Sequence, residues 1–108
     1  MSTPFVTQLR SRSSIIQLGT PGPNAITIRV EMPEVWDVVA ITTPATEPVV
    51  NVKVRALEAL YPDAQLHQDF VVKFNGWEIL NEAVSLADAG VKDGSILLLT
   101  FRRRRAVR

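Results

Sequence analysis

The chain has 108 residues, which suits one domain, and its 12 lysines and arginines nearly balance 11 acids. Cysteine is absent and His67 is the single histidine, which excludes a disulfide framework, a thiolate metal site and any site needing two imidazoles. The 46% hydrophobic fraction is ample for a core, and no apolar run approaches the ~20 residues needed to span a bilayer. No long apolar stretch near the start indicates a signal peptide, so we expect a cytoplasmic module.

The charges are unevenly distributed along the chain. The last seven residues hold five arginines: Arg102, Arg103, Arg104, Arg105 and Arg108. Arg10 and Arg12 lie near the start, whereas residues 13–101 hold five basic side chains and all eleven acids. The body is therefore acidic and both ends are basic, a pattern that points to binding by the ends.

Residues 1–24 are predicted to be an extension that is flexible or becomes ordered on a partner. The breaker run of residues 19–24 contains two prolines and two glycines, which end any ordered element before it. One short apolar stretch, Ile15, Ile16 and Leu18, precedes this run. It fits either an added edge strand or a linear motif that docks on a partner.

Two strands and a hairpin are predicted next. Ile26, Ile28, Val30 and Met32 alternate with polar residues, which predicts a half-buried strand over residues 26–32. Pro33 interrupts it, and residues 35–43 are rich in strand-forming side chains. We expect Trp36 to pack in the core or against this hairpin.

A helix is predicted over residues 47–60. Apolar residues recur there at spacings of three and four and form one stripe: Val49, Val52, Ala56, Leu57 and Leu60. Polar side chains should lie on the other face, namely Asn51, Lys53, Arg55 and Glu58. Thr46 is a candidate cap, and Tyr61-Pro62 ends the helix because a residue before proline avoids the helical region.

The rest of the chain predicts three further strands. Residues 70–74 and 77–80 flank Asn75-Gly76, a strong signal for a two-residue hairpin turn. A helical turn over residues 86–90 is followed by a turn at 92–94 and a last strand over 95–101. In that strand the alternation points Leu97, Leu99 and Phe101 inward and Ile96, Leu98 and Thr100 outward.

The predicted order is β-β-α-β-β-β, an α+β arrangement with one main helix packed on a mixed sheet over residues 25–101, followed by an arginine-rich tail over 102–108. The first and last of these strands each have a fully apolar alternate set, which suits the central positions of the sheet.

This order resembles the ubiquitin-like β-grasp fold. Val50-Asn51-Val52-Lys53 is similar to the start of ubiquitin's helix, and Phe74-Asn75-Gly76 with residues 86–99 is similar to its second half. The most specific part is the L-x-D-x-G-V-x-D-G-x-x-L spacing that begins at Leu86. We expect Leu86 and Val91 to close the open end of the sheet, and Gly90 and Gly94 to form turns with positive φ.

The departures from ubiquitin bear on function. No diglycine follows the last strand, so conjugation to lysine or sulfur transfer is not supported. Ubiquitin's recognition patch is altered too, since Lys73 and Thr100 replace two of its three apolar residues and Leu98 replaces its histidine. The motif is also similar to the small bacterial ubiquitin-like proteins of the YukD/EsaB kind and to ubiquitin-like domains of type VII secretion. Those proteins serve as non-covalent accessory or assembly modules.

Three features are candidate partner-binding sites. The arginine run of Arg102, Arg103, Arg104 and Arg105 fits an acidic protein groove, anionic lipid or a solubilising tail, and nucleic acid is disfavoured because no aromatic residues are interleaved with it. Trp77 fits an interface hot spot or the edge of the core. Ile96 and Leu98, flanked by Lys73 and Thr100, would form an outward apolar surface. Alternatively, Ile15, Ile16 and Leu18 fold back and cover it, which we favour slightly.

Neither a metal site nor an enzyme is predicted. Asp63, His67 and Asp69 lie in one loop at irregular spacing, which is weak support for a metal site. No nucleophile elbow, phosphate-binding loop or recognisable carboxylate pair is present, so we expect no catalytic residues and no cofactor.

The sequence therefore predicts a non-covalent protein-interaction module, an accessory or assembly component of a larger bacterial complex, with a secretion system as one such complex. Protein partners are expected, membrane contact only through a partner or the arginine tail, and the oligomeric state stays open. Two alternatives remain: a structural subunit of a multi-subunit particle whose extensions thread into neighbours, and a ubiquitin-like modifier or sulfur carrier.

Overall fold

The computed structural model describes residues 15–20 and 22–102. Within them lie six strands, one α-helix and two single-turn 3₁₀ helices at Pro33–Val35 and His67–Asp69. The strands and the helix are, in order, β1 (Ile15–Gln17), β2 (Ala25–Met32), β3 (Asp37–Pro44), α1 (Val49–Leu60), β4 (Phe70–Phe74), β5 (Trp77–Glu78) and β6 (Ile96–Phe101). Apart from β1, this is the predicted order.

The six strands form one mixed sheet in the order β1-β3-β2-β6-β4-β5. The hairpin of β2 and β3 is antiparallel and continuous from Ala25 opposite Pro44 to Met32 opposite Asp37. β2 and β6 run parallel at the centre, which confirms the prediction made from their apolar alternate sets. β1 lies parallel to β3 at one edge, so part of the segment predicted as an extension belongs to the sheet.

The core lies between α1 and the face of the sheet that α1 covers. The predicted helical stripe is buried in full, and so are the alternate residues of the central strands: Ile28, Val30, Met32, Leu97 and Leu99. Phe101 packs its ring against Tyr61 and Phe70, but 45% of its surface is exposed because it lies at the end of its strand. The inward prediction therefore holds for Leu97 and Leu99 and only in part for Phe101.

The start of α1 is capped by backbone carbonyls. Pro48 occupies the cap position and no side chain caps the helix, so the prediction that Thr46 caps it is wrong. Instead, the amides of Val49 and Val50 donate to the carbonyls of Val84 and Glu82 at 2.9 and 2.8 Å. These bonds satisfy helix donors that have no partner inside the helix, and they fix the loop before Leu86 against α1.

Lys53 is buried, contrary to the prediction that it lies on the exposed face of the helix. Only 1% of its surface is exposed. Its Nζ donates to the carbonyl of Phe70 at 2.8 Å and to both carboxylate oxygens of Glu82 at 2.8 and 2.9 Å. One ammonium thus joins the helix, the start of β4 and the loop after β5, and its charge is compensated where water is excluded.

Trp36 is exposed, contrary to the prediction that it packs in the core or the hairpin. It follows the first 3₁₀ turn in the left-handed conformation, with φ 55° and ψ 43°, and its amide donates to the Pro33 carbonyl at 3.1 Å. The side chain is 94% exposed. A bulky residue in this conformation carries backbone strain, and its ring gains no burial in return.

The residues of the motif that begins at Leu86 stabilise the fold. Leu86 and Val91 are buried, as predicted, and Gly90 and Gly94 have φ of 90° and 85°. The Asp93 carboxylate accepts the amide of Thr27 at 2.8 Å, which ties this turn to the start of β2. The motif therefore explains the closure of the fold and says little about partners.

Candidate partner-binding surfaces

The outer face of the sheet, which lies opposite α1, carries four of the predicted contact residues: Lys73, Ile96, Leu98 and Thr100. Leu98 lies between Glu31 of β2 and Lys73 of β4, and Ile96 lies beside Arg29. Ile96 is 50% exposed and Leu98 is half-buried. We call Lys73, Ile96 and Leu98 the outer-face patch: two aliphatic side chains flanked by charges of both signs.

Thr100 lies on the same face but is engaged within the chain. Its hydroxyl hydrogen-bonds the carboxylate of Glu34, which also accepts the amide of Phe101 at 3.0 Å. Partial burial by itself raises the pKa of Glu34. The hydrogen bonds that the carboxylate accepts from Thr100, Phe101 and its own backbone lower the pKa by more than burial raises it, so the pKa lies below the ordinary 4.5. The contact anchors the turn that bears Trp36 to the end of β6.

Ile15, Ile16 and Leu18 do not cover the outer-face patch, so the interpretation that they fold back over it is wrong. β1 pairs with β3, and β2 separates β3 from β6. Ile16 lies opposite Ile41, on the face that α1 covers, and Leu18 also packs against the core. Of the two alternatives for this segment, the structure shows the added edge strand.

Trp77 lies on the opposite face of the sheet from the outer-face patch. The predicted two-residue turn is present, with φ 55° at Asn75 and 85° at Gly76. It places Trp77 opposite Phe74 and Glu78 opposite Lys73, so Trp77 shares the face of Phe74. Trp77 is 78% exposed at the rim of a shallow groove of about 550 Å³, also lined by Phe74, Ile79, Val84, Ala89 and Gly90. The predicted contact residues thus form two separate surfaces.

Arg102 is bound to the domain rather than extended from it. Its amide donates to the Asp69 carbonyl at 2.7 Å and its Nε to the Gln68 carbonyl at 3.0 Å. Its guanidinium lies 3.5 Å from the Glu78 carboxylate. Arg103, Arg104 and Arg105, which complete the predicted arginine site, lie outside the described residues.

The described part of the chain holds no group of three histidine, aspartate or glutamate side chains that could bind a metal ion, Asp63, His67 and Asp69 included. In the same residues no helix is long and apolar enough to cross a membrane. Exposed apolar side chains of the described residues that were not predicted to be exposed from the sequence include Trp36, Leu66 and Leu80, which follows Ile79 of the Trp77 groove.

Solved structures resemble this arrangement. The ubiquitin-like domain of an Arabidopsis thaliana protein has a TM-score of 0.63 and 16% identity, over 82% of this chain and 90% of that one. The C-terminal ubiquitin-like domain of mouse tubulin-specific chaperone e has a TM-score of 0.63 and 17% identity, over 82% and 97%. Caldiarchaeum subterraneum ubiquitin has a TM-score of 0.62 and 16% identity, over 76% and 99%.

The chain has the ubiquitin-like β-grasp fold. No protein-family model matches the sequence, and no curated protein matches it. At these identities the likeness establishes the fold alone. The described residues form one strand more than the five that were predicted, and this additional strand is β1, which lies beside β3.

Proposed function

We propose that this ubiquitin-like domain is a non-covalent protein-interaction module whose main contact surface is the outer-face patch. The half-exposed Ile96 beside Leu98, on a face that residues 15–18 leave uncovered, is the observation that carries the proposal. An exposed pair of aliphatic side chains rimmed by Arg29, Glu31 and Lys73 has the composition of a small protein contact, with an apolar centre and a charged rim. Trp77 and the arginine tail are proposed as further contacts.

We place the module in a larger bacterial assembly, in the cytoplasm, and a type VII secretion apparatus is the assembly that the motif beginning at Leu86 favours. The resemblance alone supports this placement. The residues of the motif that are buried or form turns are needed for the fold itself, so they give no independent indication of an assembly. A particle subunit with threading extensions is an alternative that the same basic ends would serve.

The test is affinity purification of the tagged full chain from the cells that naturally make it. The variant I96E/L98E places two carboxylates in the patch, and L66E is the matched control, because Leu66 is 57% exposed in a loop away from the patch. We expect a discrete partner with wild type and L66E that is lost with I96E/L98E. A partner retained by I96E/L98E would contradict the assignment of the surface, and covalent ladders on a denaturing gel would restore the modifier alternative.

A further inference from the structure

β5 forms the edge of the sheet farthest from β1 in the described part of the chain. It pairs with β4 over two residues, and the amide of Ile79 adds one hydrogen bond to the Val72 carbonyl at 2.8 Å. In an antiparallel ladder, alternate residues direct their amide and carbonyl towards the neighbouring strand. Because Ile79 bonds to β4, the amide and carbonyl of Glu78 point away from β4. The edge of β5 therefore offers one donor and one acceptor to another strand.

Two large apolar side chains are exposed at the same edge. Trp77 is 78% exposed at the rim of the groove described above, and Leu80 is 83% exposed. Phe74, Ile79 and Val84 are among the side chains that line this groove. Apolar surface that lies beside an unpaired strand edge is typical of an interface between protein chains.

A second copy of this edge complements the first through a two-fold axis. When Glu78 lies opposite Glu78 of the second copy, the free amide and carbonyl of each are paired, and the antiparallel register places Trp77 opposite Ile79 of the second copy. Ile79 lines the groove, so each Trp77 meets the groove of the other chain. The same register places Leu80 beside Gly76, which has no side chain to obstruct it. A two-fold interface requires self-complementarity of this kind.

The charges at this edge are compatible with the two-fold register. Glu78 lies opposite Lys73 of β4, on the outer face of the sheet, so two Glu78 carboxylates would meet there across the axis. Like charges directly opposite each other destabilise a strand pair. Here the Arg102 guanidinium lies 3.5 Å from the Glu78 carboxylate. Each acid therefore brings its own counter-charge, and the two facing ion pairs form a cluster of four charges with no net charge.

We propose that the β5 edge is the interface of a two-fold symmetric homodimer, in which the two sheets join at Glu78 and each Trp77 enters the groove of the other chain. The inference takes up the proposal that Trp77 is a contact residue and names its partner. It does not depend on the outer-face patch, because Ile96 and Leu98 lie two strands away on β6.

The size of the interface predicts a weak dimer. An aromatic side chain buries about 150–250 Å² when it is fully covered. With Leu80 and the strand edge, the two copies together bury about 1,000 Å², which is below the range of about 1,200–2,000 Å² for stable interfaces. We therefore expect a dissociation constant in the range of about 10–100 µM.

Sedimentation velocity of the purified full chain between about 5 and 500 µM tests the association, because this range includes the expected dissociation constant. The average mass should rise from that of one chain towards that of two. Glu78→Pro removes the outward amide and with it two hydrogen bonds across the axis, so it should raise the dissociation constant at least about tenfold. Glu78→Gln keeps the amide and should still dimerise.

A second pair of variants tests the groove contact, and it also serves if Glu78→Pro does not fold. Trp77→Asp should remain monomeric over the whole concentration range, because a carboxylate cannot be buried in an apolar groove without a partner. Trp36→Asp is the matched control, since Trp36 is also exposed but lies far from β5 in the sheet. This control should dimerise like wild type.

Cysteine crosslinking tests the register, since the chain has no cysteine of its own. The Cα atoms of two Glu78 residues paired across the axis would lie about 5.5 Å apart, within the range of a disulfide. Glu78→Cys should therefore form a disulfide-linked dimer under mild oxidation, whereas Asn75→Cys, three residues along the edge, should not. Equal crosslinking of both variants would contradict the register.

Three further outcomes would overturn the proposal: a wild-type chain that stays monomeric up to about 500 µM, a dimer that survives both Glu78→Pro and Trp77→Asp, and a dimer that is lost in I96E/L98E. The last outcome would assign the dimer interface to the outer-face patch. We expect I96E/L98E to dimerise like wild type even though it loses the proposed protein partner, so failure of the dimer and failure of the proposed function are distinguishable.

Discussion

Replacing Lys53 with methionine should lower the free energy of unfolding by more than the same replacement at an exposed lysine would. Methionine keeps the aliphatic stem but removes three hydrogen bonds, leaving the Phe70 carbonyl and the Glu82 carboxylate without this partner. Removing one member of a buried ion pair costs about 3–5 kcal/mol. Because 16% of the Glu82 side chain is exposed and can be partly hydrated, we expect about 3 kcal/mol. For a domain of this size that lowers Tm by about 10–20 °C.

Urea denaturation followed by circular dichroism measures this loss, with Lys92→Met as the matched control because Lys92 is exposed. The double variant K53M/E82L removes both charges, so it should be more stable than K53M alone, with a coupling energy of about 1–3 kcal/mol. A K53M cost no larger than that of Lys92→Met, or no coupling to Glu82, would refute the reasoning that this ion pair joins α1, β4 and the loop after β5.

Two further predictions concern the turn that bears Trp36. Trp36→Gly should raise the free energy of unfolding by about 0.5–1 kcal/mol. The substitution removes the penalty of about 1–2 kcal/mol for a left-handed non-glycine residue, and this gain exceeds the cost of the greater conformational entropy that glycine gives the unfolded chain. Urea titration checks this, and a loss of stability would show that the ring packs. Because the pKa of Glu34 is lowered on folding, its charge stabilises the fold above pH 4.5, and this contribution is lost as the pH falls through the folded pKa. Thermal melts of wild type and Glu34→Gln at pH 7 and pH 3 should therefore converge in acid, whereas a constant difference between them would exclude this role for the carboxylate.

Local patterns predicted most of the fold because they report short-range physics. The helical stripe, the Asn75-Gly76 turn and the alternation in β2 and β6 each follow from a few neighbouring residues, and each is confirmed. The placement of Lys53 was predictable as well. It lies four residues after Val49 and four before Leu57, so the spacing alone puts it in the buried stripe. A lysine's charge favours an exposed face of a helix, but here the ion pair with Glu82 allows the spacing to decide its position.

The site was less predictable because it depends on long-range pairing. A three-residue strand such as β1 is too short to show a period, and its partner β3 lies more than twenty residues away, so its edge could not be assigned from the sequence. The face of the sheet on which Trp77 lies could have been predicted from the sequence, because a two-residue turn at Asn75-Gly76 places Trp77 opposite Phe74. The exposure of Trp36 depends on a left-handed residue after a 3₁₀ turn, for which the sequence carries no local signal.

The central claim is that the outer-face patch binds a protein partner, and site-specific photocrosslinking tests it most directly. A photoreactive amino acid would be placed at Leu98 in the full chain, and at Leu66 as the control, in the cells that naturally make the protein. The account predicts a discrete crosslinked species from position 98 that is absent from position 66 and lost when Ile96 is changed to glutamate. No crosslink from position 98, or the same species from both positions, would contradict the account.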